Sequence, residues 1–266
     1  MYELTPPLLN LYQDCNRCFW VEIHENVRRP RETNGALPTG MELMFKQYTD
    51  RFRELGMLPS ELAPQIEGKF LPDPELIKRW RDPKKGLFYS DEKLGVRLQG
   101  HPDECIVSEM EGKTFYRPLK FKTRGFDPKE ESHDHHAQLQ LDCYDLLMSA
   151  NGFETGHNGY IVYYVPEQVQ EKGLVQFHVQ VIQLVTEGEG IKSLLDRVVK
   201  LLNAKMPPAG KDCEYCRWGD LGVEMMRRTS GCAIICPITL SCSYYEYSST
   251  ISYGCSSCGN VRSIRV

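Results

Sequence analysis

Three polar side chains in the middle of the chain have the types and the spacing of a hydrolytic site. Asp103 closes the short run "GHPD", and Lys120 and Lys122 alternate in the extended stretch "PLKFKTRG". An aspartate on one strand and an acid-x-lysine motif on the next can hold Mg²⁺ or Mn²⁺ against a phosphodiester, because hard cations take oxygen ligands and a lysine stabilises developing negative charge. In this sequence Lys120 occupies the position where the second motif has its acid.

Lys120 should weaken the binding of a divalent metal. Residues 120 and 122 lie two apart on a predicted strand, so their side chains leave the same face about 7 Å apart. Leu119 and Phe121 then point into the core. At a separation of about 4 Å and an effective dielectric constant of about 20, each unit of like charge costs about 4 kcal/mol. A site that contains Lys120 should therefore bind Mg²⁺ or Mn²⁺ poorly.

Four cysteines form a second candidate site. The stretch "DCNRCFW" carries Cys15 and Cys18, and "DCEYCRW" carries Cys213 and Cys216 far downstream. In a reducing compartment, paired CxxC spacings indicate metal or cluster ligands before they indicate disulfides. Four thiolates can complete a tetrahedral zinc site or hold an iron–sulfur cluster. We therefore predict that the four sulfurs meet and join the two ends of the fold.

Composition narrows the class of protein. The 266 residues are 41% hydrophobic and 26% charged, which is enough for one substantial core, or for one domain with an appendage. The net charge of −4 excludes a chain that is basic overall, so any nucleic-acid contact needs a local basic groove. No apolar run has the length of a membrane span, and the first residues lack the pattern of a signal peptide, so we expect a cytoplasmic protein without membrane contact.

The hydrophobic periodicity predicts the elements that position these residues. A capping Thr5-Pro6 pair should start a first helix, Gly56 should end a second, and Glu111-Gly112 should form the turn of a hairpin. The predicted helices are 8–24, 41–55, 136–150 and 190–204, the predicted strands are 94–100, 104–110, 114–124, 159–165 and 174–185, and 59–85 is predicted to be loop with short helical turns. This order indicates an α/β fold with a mixed sheet flanked by helices.

The composition changes after residue 228. The remaining stretch is dense in cysteine, serine and tyrosine and contains a single acidic residue. We predict one domain over 1–228, closed by the two-ended cysteine site, and a tail over 229–266 that is disordered or non-native.

The order of the motifs carries a family resemblance. Three pieces follow one another on suitable elements: Gly100-x-x-Asp103, then Lys120-x-Lys122-Thr123, then Gln140-x-x-x-Tyr144. They resemble the PD-(D/E)XK nuclease superfamily, and more closely its RecB-like branch, which includes CRISPR-associated and AddB-type nucleases with cysteine-bound iron–sulfur clusters. The resemblance covers most of 1–218 and implies a restriction-endonuclease-like fold and metal-dependent hydrolysis of DNA phosphodiesters.

The resemblance also implies roles for particular residues. Asp103 would be a ligand of Mg²⁺ or Mn²⁺ and Lys122 the catalytic lysine, with Lys120 at the position of the expected acid. Gln140 and Tyr144 would position the DNA or the lysine. Lys122 and Arg124 would contact DNA phosphates.

The same resemblance implies a 4Fe–4S cluster at the cysteines and DNA, single-stranded or with duplex ends, as the partner. Other DNA-repair or CRISPR-adaptation proteins are further expected partners. In that branch one cysteine comes from the N-terminal region and three from the C-terminal region, whereas this chain offers two and two, which leaves zinc open.

Lys120 leaves three interpretations open. A neighbouring acid, Glu104 or Asp142, could take over the ligand role. The chain could be a pseudo-nuclease that binds DNA without cutting it. Lastly, Lys120 could be a substitution in an otherwise active protein. A separate alternative is a structural assembly protein with a zinc staple, which needs neither a metal at Asp103 nor DNA.

Overall fold

The chain divides into two units. The computed structural model describes residues 1–29, 36–125 and 135–220, together with three strands between 245 and 265. The first unit spans Met1–Arg217 and the second Trp218–Val266. The predicted boundary at 228 lies outside the described residues, and so do the cysteines of the predicted tail. Within the described part of the chain, no helix has the length and apolar character needed to cross a membrane.

Helices occur at both ends and in the middle of the first unit. They are α1 (Pro6–Asp14), α2 (Asn16–Glu25), α3 (Ala36–Glu54), α4 (Pro74–Arg81), α5 (His135–Ala150) and α6 (Gly188–Leu202), followed by α7 (214–220) across the boundary of the two units. A 3₁₀ turn covers Glu171–Gly173. The second predicted helix ends as expected before Gly56, which has a φ of 67°.

The strands of the first unit form two sheets. The strands are β1 (Tyr2–Leu4), β2 (Lys69–Phe70), β3 (Leu87–Asp91), β4 (Val96–Gly100), β5 (Glu104–Met110), β6 (Lys113–Thr123), β7 (Asn158–Val169) and β8 (Val175–Val185). A five-stranded sheet has the order β2-β5-β6-β7-β8, and a three-stranded sheet has the order β1-β4-β3. The second unit contains an antiparallel sheet of β9 (Tyr245–Tyr247), β10 (Thr250–Gly254) and β11 (Val261–Arg265).

The five-stranded sheet is mixed, as the sequence predicts. β5 and β6 form the predicted antiparallel hairpin, and its turn residues Glu111 and Gly112 both have positive φ, as a tight two-residue turn requires. β6 and β7 pair in parallel and are connected along the chain by α5. The pairs β2–β5 and β7–β8 are antiparallel, like the hairpin. The predicted restriction-endonuclease-like α/β class is confirmed.

Each face of this sheet has its own core. Ile161, Tyr163 and Val165 of β7 pack in the cluster that contains α5 and α6. Tyr160, Val162 and Tyr164 pack on the opposite side, against α3 and the loop that follows it. Because β7 is buried on both faces, it has the nearly continuous apolar run that predicts a central strand.

The prediction of one helix over 8–24 is wrong. Cys15 has an extended backbone, with φ −162° and ψ 109°, and separates α1 from α2. Thr5 does precede the first helix, but its side chain makes no capping hydrogen bond there. The break lets Cys15 stand at the start of α2, so that Cys15 and Cys18 lie one turn apart on one side of that helix.

The prediction that 59–85 is mainly loop missed an element. Asp73 caps α4 by accepting a 2.9 Å hydrogen bond from the backbone N–H of Leu76, and Pro74 occupies the first turn. The short strands β1, β2 and β3 were also not predicted, since runs of two to five residues show too little alternation.

A buried ion cluster attaches α3 and α4 to β5. The Glu104 side chain is fully buried, and its Oε2 lies 2.5 Å from the Arg53 guanidinium on α3 and 3.0 Å from the Arg81 guanidinium on α4. Arg53 also donates to the carbonyl of Leu71, and Arg81 donates to the carbonyl of Asp103 at 2.7 Å. Two helices are therefore held to one strand through a single carboxylate.

Replacing Arg53 with alanine should destabilise the first unit by about 3–5 kcal/mol, because Glu104 would stay buried with one of its two guanidinium partners removed. Urea unfolding at pH 7 measures the change. Lys113→Ala is the control, since it removes only an exposed 3.2 Å pair with Glu154, and it should cost less than about 1 kcal/mol. A similarly small loss for Arg53→Ala would show that Arg81 alone neutralises Glu104.

Candidate active site and cysteine centre

Asp103 immediately precedes β5 and is held between two lysines. The Lys120 Nζ on β6 is 2.5 Å from its Oδ2, and the Lys46 Nζ on α3 is 3.3 Å from its Oδ1. The carboxylate is buried, while both ammonium groups keep some contact with solvent. Lys46 also reaches the exposed Glu42 on the preceding turn of α3, at 3.0 Å. Each oxygen of Asp103 therefore faces an internal cation.

The two ammonium groups shift the pKa of Asp103. Burial alone would raise the pKa of this carboxyl, but the charges and hydrogen bonds of Lys120 and Lys46 hold it below its usual range. Burial would lower the pKa of Lys46, but the charges of Asp103 and Glu42 hold it above its usual value. The carboxylate and its α3 partner are therefore both ionised at neutral pH.

The two acids considered as substitute ligands have other contacts. Glu104 follows Asp103 directly and points to the opposite face of β5, into the cluster with Arg53 and Arg81. Asp142 on α5 accepts hydrogen bonds from the backbone N–H of Glu187 and from the Gln138 amide, both at 2.9 Å. Neither carboxylate reaches Asp103 in this arrangement.

The lysines of β6 are arranged as the alternation predicts. Leu119 and Phe121 are buried on the α3 face of the sheet. Lys120 pairs in register with Ile161 of β7 and Lys122 with Tyr163, so both lysines belong to the other face. Just beyond β6, the Arg124 guanidinium lies 4.7 Å from the centre of the Tyr163 ring.

Gln140 and Tyr144 lie one turn apart on α5. The Tyr144 hydroxyl donates a 3.1 Å hydrogen bond to the carbonyl of His101, and burial raises the pKa of this phenol. The Gln140 Oε1 is buried and has no hydrogen-bond partner among the described residues. Gly100 is needed here, because a Cβ at this position would lie 2.4 Å from Leu147 and 3.0 Å from Tyr144. The motif glycine therefore lets α5 approach the loop that carries Asp103.

The four cysteines of the second candidate site come together. The Cys15–Cys216 and Cys18–Cys213 sulfurs are each 3.6 Å apart, and Cys18 and Cys216 are 3.7 Å apart. All four sulfurs lie within 4.8 Å of one another, and three of the four residues are buried. The quartet is therefore positioned to bind a metal.

Several functional contacts were missed by the sequence analysis. Lys46 and Arg53 are seven residues apart on one face of α3, and the apolar spacing that predicted this helix gave no reason to single out its cations. The Asp73-Pro74 pair is a helix-start signal that could have revealed α4 and thereby Arg81. Arg29, which donates to the Cys213 sulfur at 3.3 Å, lies beyond any regular element and had no local signal.

Comparison with known families agrees with this geometry. A model of the PD-(D/E)XK nuclease superfamily matches residues 39–221, from within α3 to beyond the second cysteine pair. This match covers more than half of the chain, so the chain belongs to the PD-(D/E)XK nuclease superfamily. Membership supports a nuclease-type function on nucleic acid, and members of the superfamily usually use Mg²⁺ or Mn²⁺. No curated protein matches the sequence.

Asp103→Asn should lower stability by about 1–3 kcal/mol at pH 7, because two ammonium groups would lose their shared carboxylate while keeping access to water. The folded-state pKa of Asp103 is depressed, so its contribution is present above the unfolded pKa of about 3.9 and is lost as the pH falls through the folded value. The difference between the two proteins should thus be constant above about pH 5 and shrink below about pH 4.

Urea unfolding from pH 7 to pH 3 measures this difference. Asp196→Asn is the matched control, since Asp196 pairs with Lys200 at 2.6 Å on the exposed face of α6, and it should change stability by less than about 1 kcal/mol. A pH-independent loss for Asp103→Asn would mean that its carboxylate charge is not what stabilises the site.

Proposed function

We propose that the protein is a RecB-like member of its superfamily that binds DNA at the Asp103 face, and that Lys120 keeps its hydrolytic centre closed in the present sequence. The observation that carries the proposal is the 2.5 Å contact between the Lys120 Nζ and the Asp103 Oδ2. The motif order and the superfamily match over 39–221 support the DNA part, and single-stranded DNA or duplex ends are the substrate class that the RecB-like resemblance implies.

The residues present do not fit Mg²⁺ or Mn²⁺. A hard cation needs several oxygen ligands with free lone pairs, whereas both Asp103 oxygens face ammonium groups. Glu104 is committed to two guanidinium groups on the other face of the sheet. A metal would have to displace Lys120 and Lys46 against their attraction to Asp103, so no hydrolytic step is assigned to the site as it stands.

One further carboxylate supports a latent metal site. Glu42 contacts the same ammonium group of Lys46 that contacts Asp103, at 3.0 and 3.3 Å. An acid at position 120 would face Asp103 and would therefore bring three carboxylates, from α3, from the start of β5 and from β6, around one point. Exchanging one residue replaces a cation with a ligand and changes the local charge by two units.

Lys120→Asp should raise Mg²⁺- or Mn²⁺-dependent cleavage of end-labelled DNA from weak or absent to at least about a hundredfold above background, since it restores an oxygen ligand and removes a competing charge. Gel analysis of single-stranded and duplex substrates with each metal measures the rate. Lys120→Ala is the matched control: it also frees Asp103 but supplies no ligand, and should restore much less activity.

The same assay separates the alternatives. Asp103→Ala or Glu42→Ala, added to Lys120→Asp, should abolish the recovered cleavage. Robust cleavage by the unmodified chain that Asp103→Ala abolishes would show that the centre is open despite Lys120. Inactivity of every form on every substrate would limit the proposal to binding.

DNA affinity should fall steeply with salt, because lysine and arginine contacts to phosphate release counterions. Lys122→Ala should reduce the slope of log K against log salt by about 1. Fluorescence anisotropy with a labelled single strand, titrated from low salt upward, measures both effects. Lys113→Ala, at the opposite end of β6, is the control and should leave the slope unchanged. Salt-independent binding, or none at low salt, would remove DNA as the ligand.

A further inference from the structure

The sulfur positions distinguish between the two kinds of metal centre that the cysteines could hold. Three of the separations are 3.6, 3.6 and 3.7 Å, and no pair is farther apart than 4.8 Å. Four thiolates bound to one Zn²⁺ at about 2.3 Å form a tetrahedron with edges of about 3.8 Å. The observed cage therefore has the dimensions of a single-ion site.

An iron–sulfur cluster requires a wider cage. In a 4Fe–4S cluster each cysteine binds a different iron atom and sulfides fill the middle, so the four thiolates stand farther apart than ligands that share one ion. Even a regular tetrahedron whose edges all equal the 4.8 Å upper limit places its centre only about 2.9 Å from each sulfur. That space holds one ion and excludes four irons with their sulfides.

We infer that Cys15, Cys18, Cys213 and Cys216 hold one tetrahedral Zn²⁺, and that the 4Fe–4S cluster implied by the RecB-like resemblance does not fit this chain. The two-and-two distribution of the cysteines agrees with this assignment. Each pair supplies two ligands from the start of a helix, Cys15 before α2 and Cys213 before α7, and neither pair completes a four-coordinate site alone.

The surroundings of the quartet suit a compact, negatively charged centre. Zn²⁺ with four thiolates carries about two negative charges. The Arg29 guanidinium donates to the Cys213 sulfur at 3.3 Å, and its carbon lies 4.8 Å from the centre of the Tyr215 ring. Such an N–H donor withdraws charge from a metal-bound thiolate and fixes its orientation.

Gly210 lets the backbone pass close to the quartet. A Cβ at this position would lie 3.0 Å from the Cys15 sulfur and 3.1 Å from the Cys213 Cβ. The backbone before the second pair therefore approaches the first pair as closely as a residue without a side chain allows. This close approach favours four thiolates around one ion over a cage that must enclose a cluster.

Metal analysis of the whole chain tests the assignment. The protein is produced with both iron and zinc in the medium and purified without oxygen, and then zinc, iron and acid-labile sulfide are measured per chain. We expect one zinc, no sulfide and no visible absorbance. Iron in the quartet, with or without sulfide, or a preparation that holds no metal, overturns the inference.

Replacing the bound zinc with Co²⁺ in the unmodified protein tests the site without relying on a variant that could fail to fold. One equivalent of Co²⁺, added after a chelator has removed the zinc, should give the visible bands of a tetrahedral thiolate complex and should saturate at one ion per chain. Removing the metal should lower the Tm by about 5 °C or more, because binding to the folded form adds to stability. Saturation at a higher ratio, or bands of octahedral Co²⁺, contradicts a closed four-thiolate site.

Cysteine variants supply the matched controls. Cys18→Ala should lose the bound zinc and the Co²⁺ bands, whereas Cys143→Ala, which alters a buried cysteine of α5 outside the quartet, should keep both. Retention of one tightly bound zinc in Cys18→Ala contradicts the inference. None of these measurements uses DNA or cleavage, so their failure leaves the proposed function intact, and inactivity on DNA leaves the zinc site intact.

Discussion

Two adjacent buried carboxylates, Asp103 and Glu104, impose a charge constraint on the first unit. They pair with different cations, Asp103 with Lys120 and Glu104 with Arg81, because each carboxylate removed from water must be neutralised. α3 supplies a cation to both, Lys46 to Asp103 and Arg53 to Glu104. The placement of α3 against the sheet is thus fixed by ion pairs at two points as well as by its apolar residues.

The same constraint explains why Lys120 is structurally tolerated. An acid at position 120 would place like charges beside Asp103, which is unfavourable unless a metal ion compensates them. Lys120 provides that compensation from within the chain and needs no ion. Under the proposed function, the residue that stabilises the fold of the site is also the residue that keeps a metal out of it, so stability and hydrolytic competence would oppose each other at position 120.

The sequence pattern predicts much of this arrangement. The contacts that it does not predict depend on how distant elements pack together. The hairpin of β5 and β6 is local, with a turn signal and a clean alternation that separates Leu119 from Lys120, so its register could be read directly. The meeting of the cysteine pairs followed from their spacing and from the need for four ligands. The partners of Asp103 and Glu104 on α3 and α4 depend on tertiary placement, which periodicity does not encode. The break at Cys15 was hidden because the residues on both sides of it favour helix.

The closure of the quartet has a consequence for the order of events during synthesis. Cys18 and Cys216 are 198 positions apart, so at about 5–20 residues per second the first pair leaves the ribosome about 10–40 s before the second. During that interval Cys15 and Cys18 can offer only two of the four ligands. These two thiols must stay reduced and must not bind other metals until α7 has left the ribosome. Four ligands are therefore available together only after most of the first unit has been synthesised.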